Sequence, residues 1–387
     1  MVRIAYAVNA LQFGGVEKYI VDLVNNLNEV RFEPYIVTFT ELGPAMRYLE
    51  RPVEVCELHK SEGNDMRMVG RFARWCRAKG IHIIHSNNWG TYLESVLAKK
   101  MGSVRTLVHV QHGLEMNDVE SQSRRKRFIR NRLRQICAAF TDELVSVSKA
   151  GRNFIVHEWL VPRRRVKIIY NGVPIRPLRP ENGKEKRKSL RFNDQNIVIG
   201  SVGRLAPVKN YKGLIRAFAI VHRKFPQTRL VIIGDGPERG ELEELISYLT
   251  LTSAVRLLGG RTDVWEWLNA FDIFALASLS EGISLSILEA MSAALPVVVS
   301  KVGGNPEIVE HGVTGWLVYP NTPEAFSEAL IKLITSPETC IKLGCKAREE
   351  VKKRFSLRRM VEEYENLYLK LLNRKADNER TMLKCVG

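Results

Sequence analysis

The sequence predicts an α/β protein built from two Rossmann-like domains, each with a parallel sheet. The chain has 387 residues. This is too long for one ordinary core and suits two domains of about 150–200 residues each. Short apolar runs rich in Val and Ile alternate with helical patterns, which is typical of βα units around a parallel sheet. The alternation runs through the first half, stops at a polar stretch and then starts again.

The first domain is predicted over residues 1–175. Its expected strands are the apolar runs VRIAYAV, PYIVTFT, IHIIHS, RTLVHVQ, DELVSVS and VKIIYNGV. Residues 174–195 contain Pro, Gly and many charged side chains, so they are predicted to form the interdomain linker and a domain edge.

The second domain is predicted over residues 190–355. Its expected strands are NIVIGSVGRL, RLVIIGDG, AVRLLGG, DIFALAS, LPVVVS and GWLV. An amphipathic pattern over residues 357–373 predicts a final helix.

Composition limits the class of protein. Six cysteines include no CxxC pair, so the thiols are expected to be reduced and no zinc site is expected. No apolar run approaches the ~18 residues of a transmembrane helix, and the first residues lack a signal-peptide cleavage site, so a cytoplasmic location is expected. The formal charge of +17 favours an anionic partner: nucleic acid, an anionic membrane or a phosphorylated substrate.

The stretch SLSEGISLSILEAM, which begins at Ser278, indicates a ligand site. A predicted strand ends before it, and a helix is expected to begin near Ser284. The unbonded N–H groups of a helix start attract anions. Glu281 lies in the loop, where open α/β sheets bind ligands. Glu289 lies farther along the helix, where it either binds a diol or points to solvent.

A second stretch, SVGRLAPVKN, places Arg204 and Lys209 after another predicted strand. Arg grips phosphate oxygens with two donors, and Lys supplies a compact point charge. A single cation pair on a loop is usually solvated. Together with an anion-binding helix start, this pair indicates a diphosphate clamp.

Together these stretches resemble the family 4 glycosyltransferases, whose two-domain fold is called GT-B. The resemblance covers nearly the whole chain, and its further motifs are Gly14-Gly15, QHG, GDGPER, LLGGRTDV, AFDIFALASLSEG, the Glu-x7-Glu pair and VGGNPEIVEHGVTGWLV. It implies two facing domains: an acceptor-side first domain completed by the returning C-terminal helix, and a second domain that binds the nucleotide sugar. It also implies retaining transfer of a hexosyl or N-acetylhexosaminyl unit from a nucleotide diphosphate, with UDP favoured.

The resemblance assigns roles to both stretches. Arg204 and Lys209 would hold the donor diphosphate, Glu281 would contact the transferred sugar, and Glu289 would bind the ribose hydroxyls. The other donor-binding residues are a glycine of the clamp motif and the loop that offers N–H groups to the phosphates: Gly203, Gly282, Ile283, Ser284 and Leu285.

Three further places match the family. Gly14 and Gly15 suit close approach of the donor because no Cβ intervenes, although a plain glycine turn is the alternative. His112 matches the acceptor-domain histidine near the reacting sugar, and Arg261 lies in the segment that lines the nucleobase pocket.

No Asp-x-Asp motif occurs in the chain. Transferases that use a divalent cation commonly present such a pair. Neither a metal nor another cofactor is therefore expected, and the cations with the helix start would stabilise the leaving diphosphate.

Residues 124–134 hold seven cations in eleven positions. Ile129, Leu133, Ile136 and Phe140 recur at helical spacing, and this stripe is predicted to pack on the first sheet. The charged face is then either solvated or docks on an anionic membrane, in which case the protein is peripheral on the inner membrane face.

The sequence leaves two alternatives to sugar transfer. One is a nucleotide-sugar epimerase of the same fold, which acts without an acceptor. The other is a nucleic-acid-binding protein, suggested by the charge. The basic residues are not interleaved with aromatic ones and no recognition motif appears, so nucleic acid is not the expected partner. The expected acceptor is a glycan or a lipid-linked envelope intermediate.

Overall fold

The computed structural model describes residues 1–63, 65–102, 104–113, 124–319 and 322–386; for Arg124 and residues 378–386 it describes the backbone alone. The chain forms two compact units. The first contains Met1–Asn171 with Leu357–Gly387, and the second contains Gly172–Ser356.

A parallel sheet forms the centre of the first unit. Its described strands are β1 (Val2–Ala10), β2 (Phe32–Glu41), β3 (Glu54–Glu57), β4 (Ile83–Asn87), β5 (Thr106–Gln111), β6 (Glu143–Ser146) and β7 (Val166–Ile168). They are ordered β3-β2-β1-β4-β5-β6-β7. The described helices of this unit are α1 (Gly15–Asn26), α2 (Met66–Ala78), α3 (Trp89–Gly102), α4 (Arg124–Ala139), α5 (Lys149–Glu158) and α14 (Leu357–Val386).

The second unit repeats this architecture. Its described strands are β8 (Ile197–Val202), β9 (Thr228–Ile233), β10 (Val255–Leu257), β11 (Ile273–Leu276), β12 (Val297–Ser300) and β13 (Gly315–Val318), in the order β10-β9-β8-β11-β12-β13. Its described helices are α6 (Pro180–Ser189), α7 (Tyr211–Lys224), α8 (Arg239–Tyr248), α9 (Val264–Leu268), α10 (Leu285–Ser292), α11 (Asn305–Ile308), α12 (Pro323–Ile334) and α13 (Pro337–Arg354). The predicted fold class, two α/β domains with parallel sheets, is confirmed.

The sequence pattern found the central strands and missed an edge strand. β4 and β12 are buried along their whole length, because helices cover both faces of a parallel sheet. β3 pairs with β2 alone among the described strands, and no residue of β3 is fully buried. An edge strand with two glutamates carries no apolar run, so the pattern did not indicate it.

The segment 174–195, predicted as the linker and a domain edge, contains helix α6 within the second unit. The linker part of that prediction is therefore corrected. Arg187 donates to the Ala270 carbonyl at 2.8 Å and pairs with Asp272 at 2.7 Å. A Cβ on Gly183 would lie 2.1 Å from the Asn269 carbonyl oxygen. Two of the charges that suggested a solvated linker, those of Lys186 and Arg187, instead form ion pairs within the second unit.

The last helix, α14, belongs to the first unit and extends well beyond the predicted 357–373. Its buried side chains recur at helical spacing and are Met360, Tyr364, Leu367, Tyr368 and Leu371. This face packs on the first unit, which is therefore completed by residues from both ends of the chain.

The orientation of α4 contradicts the prediction. Ile129, Leu133, Ile136 and Phe140 were expected to pack on the first sheet, but all four are exposed. The buried residues of this helix are Arg134, Cys137 and Ala138. The helix carries two stripes at the same spacing, and a buried arginine marks the inner one.

α14 adds hydroxyl groups to a polar cluster in the core of the first unit. The Tyr368 hydroxyl lies 2.7 Å from Nδ1 of His85, and the Tyr19 hydroxyl lies 3.3 Å from its Nε2. Burial lowers the pKa of His85 to about 3. His109 on the next strand is also fully buried, and burial holds its pKa well below the usual value. Both imidazoles are therefore neutral at physiological pH.

Acidification is expected to destabilise the first unit through His85 and His109. An unfolded imidazole has a pKa of about 6.5. Below that pH the unfolded chain binds protons that the folded chain does not, so stability is complete above about pH 6.5 and falls as the pH falls. Between about pH 7.5 and pH 5.5 the unfolding free energy should fall by about 1.4 kcal/mol for each histidine. Urea unfolding at the two pH values measures this change.

The variant His109→Gln isolates one of these contributions from the carboxylates that titrate in the same range. It should remove about 1.4 kcal/mol of the difference in unfolding free energy between the two pH values. An unchanged difference in the variant would contradict the assignment.

Candidate functional site

The candidate site lies at the carboxyl ends of β8 and β11 in the second unit. These strands are neighbours, since Ile273 pairs with Ile199 and Phe274 with Gly200. β9 and β10 extend the sheet on one side, and β12 and β13 extend it on the other. Strand order therefore reverses between β8 and β11, and open α/β sheets bind ligands in the crevice at such a point.

Two side chains predicted for the site, Lys209 and Glu281, are in contact. Lys209 Nζ lies 2.6 Å from Glu281 Oε1. The Ser278 hydroxyl donates to the same carboxylate oxygen at 2.6 Å. The two loops are also joined by backbone, because the Leu279 amide donates to the Val208 carbonyl at 2.8 Å. The lysine side chain is 19% exposed and the carboxylate 9%, so the pair is shielded from bulk water.

The lysine keeps donors for a ligand. An ammonium has three N–H donors, and its contact with Glu281 accounts for one of them. Glu281 keeps acceptor capacity for a hydroxyl group, because its second oxygen is not used by Lys209 or Ser278. The pair can thus hold a phosphate oxygen on one side and a sugar hydroxyl on the other.

Arg204 lies at the start of the same loop as Lys209. Its backbone is held on both sides, since the Gly203 amide donates to the Ile233 carbonyl and the Leu205 amide donates to the Asp235 carbonyl, both at 2.9 Å. Its side chain is exposed. The structure therefore presents a guanidinium on a rigid backbone five residues before Lys209, as a ligand clamp requires.

The start of α10 completes the arrangement around Glu281. Ser284 is the N-cap residue, and its side chain makes no capping hydrogen bond; its hydroxyl lies 3.1 Å from that of Ser286. The first amides of a helix have no acceptor within the helix, and they carry the positive end of its dipole. Within the preceding loop, Ile283 and Ser284 are buried and Gly282 is half-buried. Glu289 is half-buried rather than fully solvated.

Glycines that the sequence analysis assigned no role hold these loops in place. A Cβ on Gly303 would lie 1.8 Å from the Glu281 carbonyl oxygen, and one on Gly304 would lie 1.8 Å from that of Gly282. The Gly304 amide also donates to the Glu281 carbonyl at 3.2 Å. The adjacent glycines in VGGNPEIVE were the available signal for this close approach.

A similar approach fixes the loop of Gly203 and Arg204. Gly234 has a φ of +141°, and a Cβ there would lie 1.9 Å from the Gly203 carbonyl oxygen. Gly236 has a φ of +159°, and a Cβ there would lie 2.4 Å from the Leu205 carbonyl oxygen. The motif GDGPER therefore supports the clamp loop from β9.

Arg261 is held by its neighbours. It forms two hydrogen bonds to Asp263, at 2.8 and 2.9 Å, and its guanidinium lies 5.9 Å from the centre of the Trp267 ring. Asp263 is also 2.5 Å from Lys186 of α6. The hydrogen bond from Arg261 lowers the pKa of Asp263. These contacts hold the Arg261 guanidinium beside Asp263 and the Trp267 ring.

In the first unit, Gly14 is the N-cap residue of α1 and Gly15 is the first residue of that helix. Neither has a positive φ. A Cβ on Gly15 would meet nothing within 4 Å, and one on Gly14 would meet only the flexible side chain of Glu17. The packing of this unit therefore leaves open space over Gly15, where a ligand can approach the backbone.

His112 follows β5 at the carboxyl edge of the first sheet. Its Nε2 lies 2.8 Å from the amide oxygen of Asn87, so Nε2 carries the proton. Its ring meets the Tyr19 ring edge to face, 4.5 Å between centres. Burial lowers the pKa of His112 to about 3. His112 is therefore a neutral hydrogen-bonding group with a fixed orientation.

No group of three or more His, Cys, Asp or Glu side chains in the described part of the chain is arranged to hold a metal ion. None of the described helices combines the length and the apolar character that a bilayer-crossing segment needs.

Comparison with known families covers both halves of the chain. Residues 182–350 match the family described as Glycosyl transferases group 1, and residues 13–176 match Glycosyltransferase Family 4. Together these matches span both units and include most residues discussed above.

Individual proteins agree with these families. The chain is 27% identical over 346 residues, 87% of its length and 88% of the relative's, to the Escherichia coli UDP-Gal:alpha-D-GlcNAc-diphosphoundecaprenol alpha-1,3-galactosyltransferase. It is 26% identical to the Bacillus anthracis N-acetyl-alpha-D-glucosaminyl L-malate synthase, with 80% of each chain covered. Among solved structures, Anabaena HepE in complex with UDP-glucose has a TM-score of 0.84 at 24% identity, and covers 96% of this chain and 100% of its own.

Proposed function

This chain belongs to the family 4, group 1 glycosyltransferases, and on that premise we propose that it moves a sugar from UDP to an acceptor hydroxyl with retention of configuration and without a divalent metal. That it is a sugar-transferring enzyme follows from the family. The donor base, the stereochemistry, the acceptor and the role of each residue are the parts that we propose.

The contact between Lys209 and Glu281 carries the proposal. It joins a cation from the β8 loop to a carboxylate from the β11 loop at the point where strand order reverses. In the proposed complex Lys209 and Arg204 hold the diphosphate, the amides of the Gly282–Leu285 loop contribute donors, and Glu281 binds the sugar. These groups face the atoms on which negative charge develops as the bond to the diphosphate breaks.

UDP is favoured as the carrier. The Escherichia coli relative takes UDP-galactose by its name, and the Anabaena structure holds UDP-glucose. We assign Glu289 to the ribose hydroxyls, and the backbone near Arg261 to the base. Gly203 and the open backbone at Gly14 and Gly15 complete the donor contacts.

The acceptor that we propose is a lipid-linked envelope intermediate. The Escherichia coli relative is named for transfer to a sugar on diphosphoundecaprenol, which is a lipid carrier. The Bacillus anthracis relative is named for a product of L-malate, so small acceptors also occur among similar proteins. The alignment with the first protein covers 88% of that relative, against 80% for the second, and this favours the lipid-linked class.

The proposed reaction takes place on one face of the sugar. The acceptor hydroxyl forms a bond to the anomeric carbon on the side from which the diphosphate leaves, and its proton passes to an oxygen of that diphosphate. The cations and the helix start stabilise the leaving group in place of a metal ion. His112 is assigned to the transferred sugar; with its proton on Nε2 and donated to Asn87, the neutral ring offers Nδ1 as an acceptor for a sugar hydroxyl.

Product stereochemistry tests the proposal. We expect thermal stabilisation by UDP-sugars rather than by GDP- or ADP-sugars, because ligands that bind only the folded state raise the melting temperature. With the stabilising sugar and a lipid-linked glycan acceptor, proton NMR should show an α-linked product from an α-linked donor, at an equal rate with EDTA present. A β-linked product would refute retention, loss of activity in EDTA would refute metal independence, and an altered sugar formed without acceptor would indicate an epimerase.

A further inference from the structure

The loop between β1 and α1 carries an aromatic ring that the packing of the first unit leaves open to solvent. Phe13 is 40% exposed, and its ring meets the half-buried Tyr48 ring edge to face, with 6.0 Å between the centres. Phe13 directly precedes Gly14 and Gly15, the open backbone that the proposed function assigns to the donor. A single exposed ring is common on a protein surface, so its surroundings decide whether it binds a ligand.

The loop lies where the strand order of the first sheet reverses. β2 and β3 extend this sheet on one side of β1, and β4 to β7 extend it on the other. Open α/β sheets bind ligands in the crevice at the carboxyl ends of their strands, at such a point. The equivalent point of the second unit is the candidate donor site. The first unit therefore offers a crevice of its own for a second substrate, and Phe13 lies beside it.

Contacts with the loop after β2 hold the backbone next to Phe13. The Ala45 amide donates to the Leu11 carbonyl at 2.9 Å, and a Cβ on Gly43 would lie 2.3 Å from the same oxygen. The two loops are therefore packed backbone against backbone just before the exposed ring. A ring on a fixed backbone and in contact with a second ring is preorganised for binding.

The polar side chains of these loops accept hydrogen bonds and include no cation. The Gln12 side-chain amide donates to Glu41 Oε1 at 2.8 Å, and both residues are exposed. This bond leaves the Gln12 amide oxygen and the second Glu41 oxygen to accept from hydroxyl groups. Residues 9–15 and 40–46 contain no Lys or Arg, although the whole chain carries +17. An anionic ligand would meet the Glu41 carboxylate with no cation to offset it, so a neutral ligand rich in hydroxyl groups is favoured.

We propose that Phe13 is the platform on which the acceptor's sugar stacks, with the hydroxyl groups of that sugar bonded to Gln12 and Glu41. A pyranose has an apolar face of C–H groups, which packs on an aromatic ring, and hydroxyl groups around its rim. The site therefore takes a neutral sugar unit rather than a small carboxylate. This assignment rests on the proposed function and names the part of the acceptor that is recognised.

Proton NMR of two simple glycosides tests the platform on the full chain without turnover. The probes are methyl α-D-glucoside and methyl N-acetyl-α-D-glucosaminide, each added with UDP. Stacking should move the C–H protons of one sugar face upfield, because these protons lie over the aromatic ring. Phe13→Leu keeps an apolar side chain and removes the ring, so the upfield shift should disappear. Phe13→Trp should retain it.

Steady-state kinetics measure the contribution of the ring to transfer. With an N-acetylglucosamine diphosphate lipid as acceptor, Phe13→Ala should raise the acceptor KM about fivefold, the effect of losing an aromatic contact. The UDP-sugar KM, kcat and the affinity for UDP should stay unchanged, and Phe13→Trp should keep the wild-type acceptor KM. The matched control is Tyr248→Ala, since Tyr248 is an aromatic residue that is 84% exposed on the second unit; it should leave both KM values unchanged.

Several results would overturn the assignment: no upfield shift with the wild type, the same shift with Phe13→Leu, or a wild-type acceptor KM in Phe13→Ala. A raised UDP-sugar KM alone would assign the ring to the donor, and a change of oligomeric state in Phe13→Ala would assign it to a second copy. Faster transfer to L-malate than to the glycan acceptor would refute the choice of a neutral sugar. A wild type that UDP does not stabilise would refute the donor part of the proposed function, whereas the glycoside shifts would still report on the platform.

Discussion

Replacing Lys209 by alanine is expected to lower kcat for sugar transfer by about 10²–10³-fold, the effect of losing one preorganised group that stabilises developing charge. Two changes act in the same direction. The diphosphate loses a cation, and the Glu281 carboxylate, now without the ammonium that lies 2.6 Å away, is left beside the leaving group. Steady-state kinetics with the UDP-sugar and acceptor measure the loss, and calorimetry of UDP binding separates affinity from rate.

A double variant tests the second of these changes. Glu281→Gln added to Lys209→Ala removes the repelling carboxylate, so UDP should bind more tightly to the double variant than to Lys209→Ala. Such coupling is expected for side chains in contact. If UDP binds equally to both variants, the carboxylate does not face the diphosphate.

The chain offers a matched control for the lysine. Lys212 lies three residues later, is 36% exposed and also pairs with a glutamate, Glu238, at 3.3 Å. Lys212→Ala should keep wild-type turnover because this pair lies outside the clamp. Arg204→Ala should match Lys209→Ala, and near-normal turnover in both would contradict the clamp.

The location of the site could be predicted from the sequence because it depends on strand ends. The apolar runs that precede Arg204 and Glu281 indicated buried parallel strands, and the carboxyl ends of such strands meet at one edge of a sheet. The contact between Lys209 and Glu281 could not be predicted from strand ends alone. Strand order decides which loops are neighbours, and nothing in the local pattern showed that β11 lies beside β8 rather than β10.

Other features depend on contacts made at long range. The polar segment with Lys186 and Arg187 indicated a linker, since their carboxylate partners Asp263 and Asp272 lie more than seventy residues away. Gly303 and Gly304 show their role only through the carbonyls that they approach. Ser278 belongs to the motif, but only the structure shows that its hydroxyl donates a hydrogen bond to the Glu281 carboxylate.

Helix α4 shows why periodicity alone misplaced a face. Ile129, Leu133, Ile136 and Phe140 repeat at helical spacing, and an apolar stripe usually faces the core. The inner stripe instead centres on Arg134. Its guanidinium lies 5.2 Å from the centre of the Trp89 ring and 5.3 Å from that of the Trp159 ring. No propensity identifies an arginine as a core residue, because charged side chains are almost never fully buried without partners.

Arg134→Ala is expected to lower the unfolding free energy by about 3 kcal/mol. The side chain is among the largest that are fully buried, so truncation leaves a cavity beside Trp89 and Trp159. It also removes two cation–π contacts, each worth about 1–2 kcal/mol when shielded from water. The hydrogen bond from Arg134 to the amide oxygen of Asn131, at 3.3 Å, is lost as well. Urea unfolding at neutral pH measures the change.

A second substitution separates volume from charge at this position. Arg134→Met keeps most of the buried side-chain volume and removes the positive charge. It should lower the unfolding free energy by about half as much as Arg134→Ala, because apolar groups of similar volume often replace buried charges at little cost. Arg132→Ala, two residues away and exposed, should change stability by less than about 0.5 kcal/mol. If Arg134→Ala has the unfolding free energy of the wild type, the contacts of Arg134 with Trp89 and Trp159 do not anchor α4. The outward orientation of the exposed apolar stripe would then have no structural cause; its residues are Ile129, Leu133, Ile136 and Phe140.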